Sequence, residues 1–432
     1  MLTSHSALEP KKAAAAVELF QHAIERRHGG PFRAELIQRS EQPLLRGNLL
    51  GYLRAHEEIL QRLSPLERRS FDTIVYIHDA GLATRMFPLS YEHGNPSKAA
   101  IRFPSGSALE MLLTCVAGSL PLIKGCALMI PIDQYFLYDT FDPQTLARVV
   151  SRHTLTTIVT ETSVERALGS LGVVELTEDG VLSGFVEKPG HRSLIPQHTP
   201  DHTLANTFQL FSTIEQLSHL AQVVEGFAAD PQHKPFVRQL DEIGWSFSEL
   251  VFESLHLPRQ MLSPAQAAFR ALLETSNITL GGVVARGHWE DWAANGASYA
   301  KLLRALAMSM SAPDASGNYL VRSHGILNHG SVKSCYFIDC DTIDLLGDFE
   351  NCVFVNCSRI RLMNCEKAAN SLFYTLQEVN FFRREMSNYL YGRFLAGMRH
   401  YEFECELDAR AAELFKAMDR ITKSWERMPH RR

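Results

Sequence analysis

The sequence lacks a long hydrophobic run, a block of basic residues and a strong net charge. Its 432 residues are 45% hydrophobic and 21% charged, with a formal net charge of −5. A membrane-spanning helix needs about 20 consecutive apolar residues, and a nucleic-acid surface is usually marked by clustered lysine and arginine. The composition therefore predicts an ordinary globular protein without a membrane or nucleic-acid partner.

Secretory features are also missing from the sequence. The N-terminal region has Lys11 and Lys12, but the alanine-rich stretch after them is soon interrupted by Glu18 and Glu25, unlike a signal peptide. The eight cysteines then have no oxidising context and are expected to be reduced thiols. These observations predict a cytoplasmic protein.

Two widespread nucleotide-binding motifs are absent. The chain contains no Gly-x-x-x-x-Gly-Lys-Ser/Thr loop, which argues against a P-loop nucleotidase. No Gly-x-Gly-x-x-Gly follows a predicted strand, which argues against a dinucleotide oxidoreductase. A nucleotide-binding function would therefore need a different loop.

The length favours two or three domains, because a chain of this size is too long for one compact core. Helical spacing of apolar residues predicts a helical N-terminal segment over 1–70 and a helical tail over 375–432. Between them, alternating strands and amphipathic helices predict an α/β domain over 71–309. The helical stripes at both ends fit self-association into a homo-oligomer as well as packing within one chain.

A short internal repeat follows the α/β domain. Residues Cys335–Leu345 match Cys352–Leu362 at an offset of 17 residues, with β-branched and aromatic side chains and no helical spacing. Such a short period is typical of stacked coils, in which each coil buries the apolar edge of its neighbour. The sequence predicts a short β-helix over 315–374.

The most informative stretch follows the β-branched run Thr73–Ile77, which predicts a strand leading into a loop of small residues, 79–90. The loop resembles the Gly-Gly-x-Gly-Thr-Arg-x-x-Pro-Leu-Thr signature of the sugar-1-phosphate nucleotidyltransferases (sugar-nucleotide pyrophosphorylases). Gly81, Thr84 and Arg85 match that signature in register, whereas Ala80 and Ala83 replace glycines. The resemblance implies that Ala80, Gly81, Thr84 and Arg85 bind the nucleotide and that the fold is a Rossmann-like nucleotidyltransferase domain.

Two aspartates occupy positions that resemble the metal ligands of that family. Asp133 ends the apolar run Met129–Ile132, and Asp291 lies in a Trp-x-Asp segment beginning at Trp289. The resemblance implies that both carboxylates hold Mg²⁺, although Ala293 and Ala294 stand where the family has Gly-Thr.

Further matches follow the family order along the chain. Lys98 stands where the family places a lysine after the loop, and a lysine there would contact phosphate as a point charge. A predicted hairpin ends in Glu187-Lys188-Pro189, and Asn206 lies on a later strand. The resemblance implies that Glu187, Lys188 and Asn206 bind the sugar and its phosphate, and that Arg85, Lys98 and Lys188 take part in catalysis.

The resemblance spans residues 73 to about 303, and the plan of a β-helix after the catalytic domain is similar to that of ADP-glucose pyrophosphorylase and its relatives. It implies that a nucleoside triphosphate and a sugar 1-phosphate react to give a nucleotide sugar and pyrophosphate. The altered loop leaves a second interpretation open, in which the chain is an inactive sugar-nucleotide-binding or regulatory protein with the same fold.

Overall fold

The computed structural model describes a large part of the chain, and statements about structure refer to that part. The described residues are 2–4, 17–18, 20–26, 38–39, 48–64, 73–79, 91–92, 95–96, 98–99, 101–103, 106–140, 142–196, 199, 201–243, 245–293, 296–321, 326–328, 336–338, 343–346, 353–355, 360–363 and 372–374.

A large mixed sheet forms the centre of the protein. Its strands follow the order β2-β1-β3-β8-β13-β10-β14-β9, and the hairpin β11-β12 is attached through β13. These strands, together with the two small ribbons β4-β5 and β6-β7, are β1 Leu2–Ser4, β2 Gln38–Arg39, β3 Thr73–Asp79, β4 Tyr91–Glu92, β5 Asn95–Pro96, β6 Arg102–Phe103, β7 Gly106–Ser107, β8 Cys126–Pro131, β9 Gln134–Thr140, β10 Leu155–Ser163, β11 Val173–Leu176, β12 Leu182–Val186, β13 His202–Thr213 and β14 Leu280–Asp291.

Helices cover both faces of this sheet. They are α1 Asn48–Arg62, α2 Ala108–Ser119, α3 Pro143–Arg152, α4 Val164–Ala167, α5 Ile214–Ala229, α6 Lys234–Ile243, α7 Ser254–His256, α8 Pro264–Thr275 and α9 Gly296–Met310, with a π-helical turn at Phe247–Glu253. One core layer, on the face covered by α2, α3 and α9, contains Ile77 and Leu128. The other, beneath α1, α5, α8 and the π-helical turn, contains Tyr76 and Met129.

Alternation along the strands explains these two layers. Neighbouring residues of β3 and β8 point to opposite faces, so each strand is apolar on both sides. Capping side chains begin several helices; Ser107 forms a capping box with Glu110 at the start of α2, and Thr213 forms one with Gln216 at the start of α5. The predicted α/β class is therefore confirmed.

The structure departs from the sequence prediction in some elements. Strand β9 and helices α6 and α9 were not predicted, and a π-helical turn at Phe247–Glu253 precedes α7. The N-terminal segment was predicted to be helical, which is wrong for β1 and β2, because these short strands extend the main sheet beyond β3. Sheet edges recruit segments through backbone hydrogen bonds, which leave little trace in side-chain periodicity.

Two parallel ladders follow α9. They comprise β15 Tyr319–Val321, β17 Tyr336–Ile338, β19 Val353–Val355 and β21 Leu372–Tyr374 in one sheet, and β16 Ile326–Asn328, β18 Ile343–Leu346 and β20 Ile360–Met363 in the other. Tyr319 pairs with Tyr336 and Tyr336 with Val353, which is the 17-residue offset of the repeat. The rings of Tyr319 and Tyr336 stack with centroids 5.0 Å apart. The β-helix itself stays a prediction, because most of the residues between these strands lie outside the described part.

No helix in the described part of the chain is both long and apolar enough to cross a membrane. The predicted helical tail, 375–432, lies outside the described residues. Among the described residues, the cysteines are Cys115 and Cys126, and both are buried free thiols in the first core layer.

Candidate functional site

The ends of two neighbouring parallel strands begin the candidate site. β3 and β8 pair in parallel from Thr73 with Cys126 to His78 with Pro131. The next backbone amide, that of Ile132, donates to the carbonyl of His78 over 3.0 Å. Ligands in α/β sheets bind beyond such carboxyl ends. The loop predicted to bind the nucleotide, with Ala80, Gly81, Thr84 and Arg85, follows β3 but lies outside the described residues.

The two predicted metal ligands meet at this edge although they are far apart in sequence. Asp291, the last residue of β14, pairs with Gln134, the first residue of β9 and the neighbour of Asp133. The backbone amide of Trp292 then donates to the carbonyl of Asp133 over 3.2 Å. Strand register therefore holds these two aspartates at adjacent positions.

A lysine already neutralises one of these aspartates. The Nζ atom of Lys98 lies 2.5 Å from Oδ2 of Asp133, and the side chains are only 19% and 23% exposed, respectively. Burial by itself would raise the pKa of the Asp133 carboxyl, but the charge and hydrogen bond of Lys98 outweigh it and hold the pKa below its ordinary value. Asp133 is therefore held ionised.

The strand carrying Asp291 is anchored by an arginine from α4. Arg166 donates to the carbonyl of Trp289 and to Oε2 of Glu290, both over 3.1 Å, and its guanidinium lies 5.6 Å from the centroid of the Trp289 ring. Lys301 of α9 lies 3.5 Å from the same Glu290 oxygen. These contacts fix the end of β14 and thereby position Asp291.

A buried polar network holds the residue after Asp133. Gln134 donates through Nε2 to the carbonyl of Thr207 and accepts from Nε2 of Gln209 over 2.8 Å. The hydroxyl of Tyr138 donates to Gln209 over 3.1 Å. Sequence reasoning missed this network, because its amides look like ordinary polar positions until folding brings side chains of β9 into contact with β13.

The predicted sugar-binding residues lie on β13 and in the hairpin attached to it. Glu187 and Lys188 follow β12, and Oε1 of Glu187 is 3.5 Å from Nζ of Lys188. Lys188 has a positive φ of 43°, which is uncommon for a residue other than glycine. A methyl group added to Gly172 would lie 2.8 Å from Oε2 of Glu187, so this glycine leaves room for the carboxylate.

Asn206 connects the two halves of the candidate site. Its backbone amide donates to the carbonyl of Gly172 over 2.8 Å, and the next residue in β13, Thr207, accepts from Gln134. Its side-chain Oδ1 accepts from Oγ1 of Thr157 over 2.6 Å and from the amide of Phe208 over 2.9 Å. Because the backbone amide of Phe208 can only donate, the atom facing it must be oxygen. The orientation of the Asn206 amide is therefore determined.

Two further glutamates approach the Glu187–Lys188 pair from the π-helical turn. Burial, with the charge of Glu187 adding to it, raises the pKa of Glu249. Burial and the charges of Glu249 and Glu187 raise the pKa of Glu253 to about 7. Sequence reasoning missed both residues. Segments with π-helical geometry are frequent at functional sites, but this geometry cannot be read from a single sequence.

The paired aspartates suit a divalent cation. Carboxylate oxygens are the ligands that Mg²⁺ prefers, and Mg²⁺ is usually held by one or two of them together with substrate phosphates and water. Within the described residues, no cluster of three or more histidine, cysteine or acidic side chains is arranged to hold a metal. Two carboxylates are a common protein contribution to Mg²⁺ beside substrate phosphates, and the assignment of Asp133 and Asp291 to Mg²⁺ stays a prediction.

The structure thus brings together Lys98, Asp133 and Asp291 on one side, and Glu187, Lys188 and Asn206 on the other. Their predicted roles in binding and catalysis stay predictions.

Comparisons with known proteins give a limited result. No protein-family model and no curated protein sequence matches the chain. Among solved structures, the crystal structure of mannose-1-phosphate geranyltransferase from Thermus thermophilus is similar over 72% of this chain and 94% of that one, at 14% sequence identity and a TM-score of 0.38. A likeness at this level carries no argument about function, which is inferred below from the site.

Proposed function

We propose that this protein transfers a nucleotidyl group from a nucleoside triphosphate to a sugar 1-phosphate, giving a nucleotide sugar and pyrophosphate. The observation that supports the proposal is a chain of contacts through β13 that links the two predicted groups. Gln134, which follows Asp133, donates to the carbonyl of Thr207, and the preceding residue, Asn206, donates to the carbonyl of Gly172, which lies against Glu187. Such a transfer needs a place for phosphates beside a place for a sugar.

The reaction is an in-line displacement at phosphorus. An oxygen of the sugar phosphate attacks the α-phosphorus, the bond from that phosphorus to the bridging oxygen breaks, and pyrophosphate leaves with the electron pair. Phosphoryl and nucleotidyl transfers depend mainly on positioning and on neutralising charge. An acid–base triad is therefore not required.

Each of the predicted site residues would have its own role in this reaction. Lys188 would hold the attacking phosphate, while Glu187 and Asn206 would accept from and donate to sugar hydroxyls. Arg85, in the loop after β3, would steady the leaving pyrophosphate, and Lys98 would contact phosphate once released from Asp133. A Mg²⁺ ion held by the two aspartates would supply neutralising charge to the phosphates.

One observation favours the second candidate function, an inactive sugar-nucleotide-binding or regulatory protein. Lys98 occupies Oδ2 of Asp133 at 2.5 Å, so a cation competes with it for that oxygen. The alanines at 80 and 83 also make the loop less able to approach phosphate than glycines would. This candidate predicts binding without turnover.

Pyrophosphate release separates the two candidates. The protein would be incubated with each of four nucleoside triphosphates, a panel of sugar 1-phosphates and Mg²⁺. Release that requires both substrates supports the transferase and names the base and sugar. If no combination releases pyrophosphate but calorimetry still detects binding of a nucleotide or a sugar phosphate, the regulatory protein is favoured.

We also propose that the two C-terminal ladders are faces of one short β-helix. Their shared 17-residue register supports it, since residues 319 and 336, and likewise 326 and 343, pair at that offset. Stacked coils of this kind bury each other's apolar edges. A structure determined for the whole chain would show whether the ladders close into coils.

A further inference from the structure

We propose that Glu249 and Glu253 belong to the sugar subsite and select a sugar 1-phosphate that carries a protonated amino group. This inference rests on the proposed function, because it specifies the substrate of the same site. Neither glutamate was among the residues predicted to bind sugar.

The side chains of Glu187 and Asn206 lie on the same face of the sheet. Phe185 of β12 packs in the second core layer while Val186 packs on the opposite side, so Glu187 returns to the face of Phe185. In β13, Leu204 and Phe208 pack against the second core layer, which places Asn206 on that face as well. Glu187 and Asn206 therefore point to the layer that the π-helical turn covers.

Aromatic packing holds the π-helical turn against these strands. The ring centroid of Phe252 lies 5.2 Å from that of Phe185 and 5.7 Å from that of Phe208. Glu253 follows Phe252 directly, and Glu249 lies one turn before it. Phe185 is two residues before Glu187 and Phe208 is two residues after Asn206, so this packing brings the turn to the strands that carry both residues, and Glu249 and Glu253 interact with Glu187.

Polar atoms in this cluster lack partners. Oε2 of Glu187, Oε2 of Glu249 and Nδ2 of Asn206 are each fully buried and form no hydrogen bond with any residue in the described part of the chain. The Asn206 side chain is 2% exposed, and its Oδ1 already has two donors, so Nδ2 is the atom left for a ligand. Leaving such groups unsatisfied is unfavourable. A ligand that supplies donors to two carboxylates and one acceptor to the amide would satisfy all three.

The charge of the cluster specifies the ligand further. Glu187, Glu249 and Glu253 interact with one another, and Lys188, whose side chain is 52% exposed, interacts with Glu187 and Glu249. Burial raises the pKa values of Glu249 and Glu253, and the charge of Glu187 adds to both shifts. A ligand ammonium group would pair with these carboxylates. A sugar carboxylate would add a fourth negative charge to the same space.

The test compares three sugar 1-phosphates by calorimetry at pH 7, where an amine with an ordinary pKa of about 8 is protonated. The ligands are glucosamine 1-phosphate, glucose 1-phosphate and glucuronic acid 1-phosphate. We expect the amino sugar to bind about tenfold more tightly than glucose 1-phosphate. The uronic acid is expected to bind most weakly.

Substitutions in the π-helical turn test whether its glutamates cause the preference for the amino sugar. Glu249→Gln keeps the size of the side chain and removes its charge, so the advantage of the amino sugar should fall to about threefold or less. Binding of glucose 1-phosphate should change little. Glu178→Gln, in the exposed turn of the β11-β12 hairpin, is the matched control and should preserve the wild-type order.

Several results would overturn the inference. They are equal affinity for the amino and hydroxyl sugars, tighter binding of the uronic acid, no binding of any of the three, or an amino preference that survives in both Glu249→Gln and Glu253→Gln. Nucleotide-dependent pyrophosphate release with another sugar 1-phosphate would leave the proposed function standing while this inference fails.

Discussion

The two halves of the candidate site handle charge in opposite ways. On the phosphate side, Asp133 is neutralised by Lys98 at 2.5 Å, and its pKa is held below its ordinary value. On the sugar side, Lys188 lies 3.5 Å from Glu187, and the neighbouring Glu249 has a raised pKa. In the first half a lysine is paired closely with Asp133, whereas in the second half two buried glutamates beside Glu187 have raised pKa values.

This difference indicates what each half requires from its ligand. A metal competes with Lys98 for Oδ2 of Asp133, and a phosphate competes with Asp133 for Lys98. A group of buried carboxylates gains from any ligand that brings donors, since the free protein leaves buried oxygens without partners in the described part of the chain. The following experiments test that contrast, beginning with the change of largest expected effect.

Asp133→Asn should reduce turnover by at least about 100-fold, because a metal-bound carboxylate contributes several kcal/mol of charge stabilisation to such reactions. The fold should remain, since asparagine has nearly the same shape. Pyrophosphate release measures the first effect and thermal denaturation the second. Asp179→Asn, in the exposed hairpin turn, is the control. Turnover unchanged from wild type would remove the metal assignment.

Gly172→Ala should weaken sugar-phosphate binding by about tenfold. The added methyl group would lie 2.8 Å from Oε2 of Glu187 and 3.0 Å from the ring of Phe185, so the carboxylate must move. Gly190→Ala is a matched control, because a methyl group there meets no atom within 4 Å. Calorimetry of both variants measures the effect. Equal binding by the two would show that the position of Glu187 does not matter.

Lys98→Met should lower, by about threefold, the Mg²⁺ concentration that gives half of the maximal rise in the protein's melting temperature. Removal of the lysine leaves Asp133 available to the cation, while turnover should fall because a phosphate contact is lost. A thermal shift titration with Mg²⁺ measures the midpoint. Lys124→Met, at an exposed lysine, should leave it unchanged. A higher midpoint in the Lys98 variant would contradict the competition between lysine and metal.

Glu253→Gln should change how stability depends on pH. Folding raises the pKa of this glutamate from 4.5 to about 7, so the folded state keeps a proton that the unfolded chain loses. The stability this provides is present below pH 4.5 and is lost as the pH rises through 7. The variant should therefore lose less stability than the wild type between pH 4.5 and 7, as measured by thermal denaturation. Parallel curves would show that Glu253 is not protonated in the folded protein.

The sequence anticipated those parts of the fold that local patterns encode. The apolar runs of β3 and β8, the hairpin ending near Glu187 and the helices with capping residues all follow from spacing and turn chemistry. Strand β9 was missed; it follows Asp133 directly and becomes a strand by pairing with the end of β14. The short strands β1 and β2 were missed because pairing with β3, and not their own composition, makes them strands.

The candidate site shows the same division. Asp133, Glu187, Asn206 and Asp291 were chosen from motifs along the chain, and the register that sets Asp133 beside Asp291 could not be derived from those motifs. Glu249 and Glu253 were missed because they lie in the π-helical turn, more than 60 residues beyond Glu187. Only the packing of Phe252 on Phe185 and Phe208 brings them to the same place.

The sequence by itself determined the α/β class, the 17-residue register of the C-terminal strands and the identity of the side chains available for chemistry. These properties depend on periodicity and residue type, which are local. The tertiary structure alone decided which charges face one another. It placed Lys98 on Asp133, Asp291 beside Gln134, and the π-helical turn over Glu187. Electrostatic interactions depend on distance and burial, which are set only when distant segments pack together.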